Sequence, residues 1–330
     1  MSLGHSFRLE PVPPNKKFIP RPNSADNSKT INPIPTPLNF PGYPLSCRPK
    51  PMESGGLDSD GRGFASAEEM WREEIGLGLA DSTKRTDWYS KGISYWQNVE
   101  ASVDGVLGGY GHVNDADVAG SDAFLRTLIP KLLHPGSNRP VALDCGSGIG
   151  RVTKHLLLEH FHEVDLVEPV SHFLDAARES LVGDGDVGVD EHRAVNFFCV
   201  PLQEFTPAPQ RYDVIWVQWC IGQLADDDFV SFFRRAKAGL KPNGFFVVKE
   251  NVARKGFVLD KEDRSITRSD SYFKELFDRC GLYVYSTKDQ KGLPEELFPV
   301  KMYALVTSKP KGTHSGRMKR QQYMPSVIRS

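Results

Sequence analysis

Three glycines at alternate positions, Gly146, Gly148 and Gly150, follow an apolar run and an acid in Val141-Ala-Leu-Asp-Cys-Gly-Ser-Gly-Ile-Gly-Arg151. Residues without a Cβ let the backbone turn tightly and let a ligand come close to it. A helix predicted from Arg151 onward aims its free N–H groups at the same spot. A second apolar run ends in Glu168, and a carboxylate at the end of a second strand suits the two hydroxyls of a ribose. The pattern points to a ligand that contains adenosine.

Two such ligands compete. A nicotinamide dinucleotide sets its pyrophosphate on the helix N-terminus, usually over Gly-x-Gly-x-x-Gly. Here the spacing is Gly-x-Gly-x-Gly, with Asp144 two residues ahead of the first glycine. S-adenosylmethionine carries a cationic amino group and no phosphate, and Asp144 is placed to help hold that cation. Spacing and acid together favour the methyl donor, while the glycine run alone leaves the dinucleotide open.

The elements that would position these residues alternate. Strands are predicted at Val141–Cys145, Val164–Glu168, Asn196–Val200, Tyr212–Trp219 and Phe245–Lys249, with helices over Thr153–Phe161, His172–Leu181 and Asp227–Leu240. Lys241-Pro-Asn-Gly244 reads as a tight turn, and Asp226-Asp-Asp228 as the cap of the helix it opens. A helix near Asp270–Cys280 leads to two last strands, Leu282–Thr287 and Met302–Thr307. Strands alternating with helices make a mostly parallel sheet covered on both faces. The last two strands have no helix between them, so they pair antiparallel at an edge. That edge is a methyltransferase trait rather than a dehydrogenase one.

Twelve of the 24 prolines fall between Pro11 and Pro51. Such a stretch buries too little apolar surface to offset its ordering entropy, so residues 1–65 are expected to be a disordered extension. Ser66-Ala-Glu-Glu69 opens a capped helix. The folded domain is expected over 66–308, with a basic flexible tail over 309–330. Net charge is −1, which gives no global case for nucleic acid or a membrane. The five cysteines are scattered, which argues against disulfides or zinc. His155, His160 and His162 lack the spacing of a helical metal pair. No apolar stretch is of spanning length and no signal pattern is present, so a cytoplasmic, and also nuclear, location is expected.

Further runs narrow the class. They are Trp88-Tyr-Ser-Lys-Gly-Ile-Ser-Tyr-Trp96, Val103-Asp-Gly-Val-Leu-Gly-Gly-Tyr-Gly-His112, Tyr212-Asp-Val-Ile-Trp-Val-Gln-Trp219 and Leu240-Lys-Pro-Asn-Gly244 through Asn251. With the glycine turn they resemble the alpha-N-terminal protein methyltransferases over about residues 85–308. The resemblance implies a Rossmann-like, seven-strand class I S-adenosylmethionine-dependent fold with an N-terminal helical addition. It implies methylation of the free α-amino group of proteins beginning X-Pro-Lys or X-Pro-Arg, ribosomal proteins among them, with S-adenosylhomocysteine as the product.

The resemblance also implies roles. Gly146 and Arg151 would line the methionine end of the cofactor, with Gly148 also cofactor-binding, Glu168 would hold the ribose, Leu202 and Gln203 would flank the adenine, and Gln218 would close the cofactor side. Leu107 and Val113, from a glycine-rich hairpin, would meet the peptide. Trp96, Trp219 and Asn251 would surround its first residue and proline, and Asp260, Asp263 and Ser265 would face the third-position Lys or Arg. Asp263, Asn251 and Gln223 are the catalytic candidates. The chain departs from the family at Gln223, where a His is usual, and at Glu250, where an Asp is frequent. Glutamine cannot serve as a base, so proton removal would lean on Asp263. Two other readings stay open: a small-molecule methyltransferase on the same fold, and a catalytically weak cofactor-binding homologue that acts as a partner.

Overall fold

The computed structural model of the chain describes residues 55–78, 83–133, 139–182 and 192–310. The first elements are β1 (Gly56–Asp58), β2 (Gly63–Phe64), α1 (Ala67–Ile75), α2 (Thr83–Gln97), α3 (Val103–Val106) and α4 (Asn114–Leu132). β3 (Val141–Cys145), α5 (Leu158–His160), β4 (Glu163–Val167), α6 (Ser171–Leu181), β5 (Arg193–Phe198) and β6 (Tyr212–Gln218) follow. α7 (Asp226–Ala236), β7 (Leu240–Asn251), β8 (Phe257–Asp260), β9 (Ser265–Arg268), α8 (Asp270–Arg279), β10 (Tyr283–Asp289) and β11 (Val300–Val306) complete the described chain.

Seven strands form the main sheet in the order β10-β11-β7-β6-β3-β4-β5. β7, β6, β3, β4 and β5 run parallel, and β11 and β10 close the edge antiparallel, as the missing helix predicts. Every residue of β3 and β6 is buried, which is why both read as unbroken apolar runs. One face packs against α1, α2, α7 and α8 through a cluster rich in aromatics, including Phe229, Phe233, Phe246 and Phe277. The other packs against α4, α6 and the helix after β3 through Phe124, Leu128, Leu157 and Leu174. The predicted turn at Lys241–Gly244 bulges out of β7, whose pairing with β6 skips from Leu240 to Phe245, with Asn243 at φ 69°.

Three expectations need correction. A second sheet, β2-β1-β8-β9, takes its first two strands from residues assigned to the disordered extension, so the fold starts before residue 66. Residues 1–54 and 311–330 lie outside the described residues. The Leu-Gly-Gly-Tyr-Gly-His run is not a β-hairpin: Gly108 and Gly109, at φ 61° and 85°, turn α3 into a short helical stretch, Gly111–Val113, that leads into α4. Asp226 does not cap α7. It is buried and accepts from Arg268 Nε and Nη2 at 3.2 and 2.9 Å. The Ser66 cap stands, accepting from Glu69 N at 3.1 Å.

Candidate active site

The site lies at the C-terminal ends of the parallel strands, the usual place for a ligand in a sheet of this kind. The glycine turn leaves β3 there. Gly146 N and Ser147 N both donate to Val167 O, at 2.8 and 3.1 Å, which stitches the turn to β4. At Gly146 a Cβ would stand 2.3 Å from Cys220 Cβ, so only glycine lets the turn meet the loop after β6. At Gly148 a Cβ would meet Val106 Cγ1 at an ordinary 3.7 Å, and it is the φ of 54° that favours glycine there. Both glycines line one cleft. The helix that follows widens to a π turn over Thr153–Leu157, a feature frequent beside functional sites.

Glu168 stands just past β4 on the cleft wall. Its Oε2 accepts from Gly148 N at 2.9 Å and its Oε1 from Val170 N at 3.0 Å, so two amides fix the carboxylate. Leu202 and Gln203, after β5, line the same wall. Their carbonyls accept from Arg235 Nη2 on α7 at 3.1 and 2.8 Å, which pins that loop.

Behind this end lies a buried polar network. Asp117 on α4 accepts from Arg151 Nη1 at 2.8 Å and from Gln218 Nε2 at 3.0 Å, and it pairs with Lys249 Nζ at 2.6 Å. Burial pushes the Asp117 carboxyl up, but Lys249 and Arg151 outweigh it and leave the group below the usual carboxylate range. Burial brings Lys249 down to about 8 against the pull of Asp117. Trp219 sits on this network in the left-handed region, at φ 52°, with the Arg151 guanidinium 5.7 Å from its ring centroid. A bulky residue in that region is strained, and such strain concentrates at functional sites. The sequence did not name Asp117 or Lys249. A lone lysine inside the apolar β7 run was the available signal.

The mouth of the cleft is built differently. Trp88, Gly92, Ile93 and Trp96 of α2 form one side. Gln223 and Trp219 form another, and Trp88 Nε1 donates to Gln223 O at 2.8 Å. The β8–β9 hairpin closes the third side: a Cβ on Gly92 would meet Asp263 O at 3.4 Å, and one on Gly222 would meet Ile266 O at 3.3 Å. Arg264, at the hairpin tip, lines the cleft and pairs with Glu74 at 3.1 Å. Asp260 and Ser265 face each other across the hairpin and Asp263 lies in its turn. Burial, with Asp263, Glu262 and Asp260 adding to it, pushes the Tyr95 hydroxyl of α2 up.

The structure thus brings Gly146, Gly148, Glu168, Leu202, Gln203, Trp96, Trp219 and Gln223 onto one cleft lining. Arg151 and Gln218 meet on Asp117 behind it. Asn251 ends β7, and its Oδ1 is buried without a hydrogen-bond partner among the described residues. Asp260, Asp263, Ser265 and Asn251 are not on that lining. Three further placements differ from expectation. Asp144 is 2% exposed and accepts from Thr153 Oγ1 at 2.7 Å, so it braces the helix instead of facing an ammonium. Leu107 and Val113 pack with Val106 and Phe173 as a small core behind the lining, and Val106 reaches the cleft in their place. No group of His, Cys, Asp and Glu among the described residues could hold a metal.

The lining fits an S-adenosyl ligand. Gly148 brings its backbone to the lining beside the carboxylate of Glu168, which suits a diol, and the apolar Pro201–Leu202 wall, which suits a flat base. No phosphate-sized cradle of arginine or lysine lines the same end: Arg264, at the other end, is the one cation on the described lining.

A family profile described as AdoMet dependent proline di-methyltransferase matches residues 84–306. An alpha N-terminal protein methyltransferase 1 from Arabidopsis thaliana is 65% identical, over 84% of this chain and all of that protein. An N-terminal Xaa-Pro-Lys N-methyltransferase 1 from Danio rerio is 45% identical, over 67% of this chain and 96% of its own. A solved SAM-dependent methyltransferase from Leishmania major superposes with a TM-score of 0.68 at 40% identity, covering 81% of this chain and all of its own.

Proposed function

The chain belongs to the AdoMet-dependent proline di-methyltransferase family, and on that premise we propose that it methylates the free α-amino group of proteins beginning X-Pro-Lys or X-Pro-Arg. The methyl donor is S-adenosylmethionine. The observation that carries the reading is a single cleft with the glycine turn and Glu168 at one end and Trp96, Trp219, Gln223 and Arg264 at the other. A chain that works on N-termini left by Met removal, ribosomal proteins among them, acts in the cytoplasm or the nucleus.

The cofactor supplies a methyl group on a sulfonium. The rest falls to this chain's residues. An α-amine, with pKa about 8 against about 10.4 for a lysine side chain, gives up its proton more readily near neutrality. In this reading Asp263 receives that proton and Asn251 accepts a hydrogen bond from the amine. Gln223 takes no proton and orients the nitrogen through its side-chain oxygen. The indoles of Trp96 and Trp219 suit a proline ring and tolerate the positive charge that builds as methyls accumulate. Asp260 and Asp263 suit a basic third residue.

Mass spectrometry of a Ser-Pro-Lys-Arg peptide with S-adenosylmethionine, beside an N-acetylated copy, tests the reading. Added methyls on the free peptide alone are expected. Methylation of both peptides, or of neither while the cofactor still binds, would sink it.

A further inference from the structure

The β8–β9 hairpin turns through Lys261-Glu262-Asp263-Arg264, so the loop given above to a basic peptide residue carries two cations of its own. Both are taken up by residues that precede the family profile. Lys261 Nζ pairs with Asp58 Oδ2 at 2.5 Å and with Asp60 Oδ2 at 2.9 Å, on β1 and in the turn after it. Arg264 Nη1 donates to Glu74 Oε2 of α1 at 3.1 Å.

Of the two cations Arg264 is the one on the cleft lining, with its guanidinium 5.9 Å from the centre of the Trp88 ring. Its side chain is 23% exposed and that of Glu74 16%, so water and salt screen the pair poorly. Glu74 is held from behind: Trp71, three residues earlier, is buried edge-on against Trp88, with ring centroids 5.2 Å apart. The hairpin tip rests on α2, where a Cβ on Gly92 would meet Asp263 O at 3.4 Å and Arg264 Cβ at 3.5 Å. An uncompensated guanidinium at this place would repel a cationic side chain entering the cleft, and it would compete with that side chain for Asp260 and Asp263.

We propose that Glu74, seconded by Asp60, sets the preference for a basic third residue: by neutralising Arg264 and Lys261 from outside the hairpin, the two acids leave the carboxylates of the loop to the peptide. The inference rests on the function proposed above. It places part of the specificity for the peptide in β1–α1, ahead of the part of the chain that the family profile matches.

Steady-state kcat/KM of the full chain on Ser-Pro-Lys-Arg and Ser-Pro-Gln-Arg peptides tests this, with the ratio of the two as the readout. Glu74→Gln is expected to lower that ratio about tenfold. Adding Arg264→Gln to the same chain restores it to within about twofold of the wild type, because the charge to be neutralised is gone. Asp60→Lys, at a side chain 72% exposed and so with little hold on the fold, lowers the ratio about threefold. Equal loss on both peptides in Glu74→Gln, or a double variant no better than the single one, marks a merely structural ion pair and overturns the proposal. Should Glu74→Gln not fold, an unmoved ratio in Asp60→Lys overturns it instead. A wild type indifferent to the third residue overturns it while leaving α-amine transfer standing, whereas a wild type that methylates neither peptide sinks the proposed function and this inference with it.

Discussion

The cofactor end of the cleft hangs from neighbouring strands of one parallel sheet. The glycine turn, Glu168 and the Leu202 loop leave β3, β4 and β5 side by side, and backbone hydrogen bonds link the first two. The acceptor end is assembled from three separated pieces: α2, the short helical turn Ile221–Gln223 and the β8–β9 hairpin of the second sheet. One buried residue clamps much of it: Arg268 of β9, fully buried, donates to Leu224 O at 2.7 Å and to Asp226 Oδ1 at 2.9 Å. Topology makes the first end rigid and general. The proposed function assigns specificity to the second.

That contrast can be broken from either side. Glu168→Ala removes the anchored carboxylate and leaves Gly148 N and Val170 N without their acceptor. S-adenosylhomocysteine affinity, read by calorimetry, is expected to fall by about a thousandfold. Asp263→Asn should lower kcat/KM for the peptide by about a hundredfold and leave cofactor affinity unmoved. A parallel loss of cofactor binding would show that the two ends are not separable. Gln223→His adds a base at the mouth, and a gain in kcat of about tenfold is expected in steady-state assays. An unchanged kcat would mean that proton removal never depended on that position.

The smallest effect on the cleft belongs to Asp144→Asn, because the acid faces Thr153. Cofactor affinity should stay within about threefold. Its signature lies in stability instead. Burial lifts Asp144 from 3.8 to about 7, with Thr153 and Arg151 pulling the other way. The folded state therefore holds a proton that the unfolded state gives up. The stability this group contributes is complete below pH 3.8 and is lost as pH rises through about 7. Urea unfolding of both proteins across that window should show this slope in the wild type and not in the D144N variant, which gains on the wild type as pH rises. Parallel curves would refute the assignment.

How much of this the sequence revealed follows the same divide. The main sheet was legible because doubly buried strands must be continuously apolar and because a glycine turn after such a strand has few other uses. Facing was not. Spacing put Asp144 near the turn, but only the strand's pleat shows that its side chain meets the helix. The second sheet escaped because its strands are two to four residues long and pair across most of the chain, beyond any local periodicity. The Asp117 network escaped for a related reason: its members lie on α4, the helix after β3, β6 and β7, and only their convergence gives them meaning.

β1 runs parallel to β8 from Gly56 through Asp58, opposite Phe257 through Leu259, one residue short of Asp260. A load applied at Gly55 therefore acts along the β1–β8 ladder and reaches the hairpin that carries the acids before it reaches the central sheet, whereas a load on the far edge, at β10, meets the central sheet first.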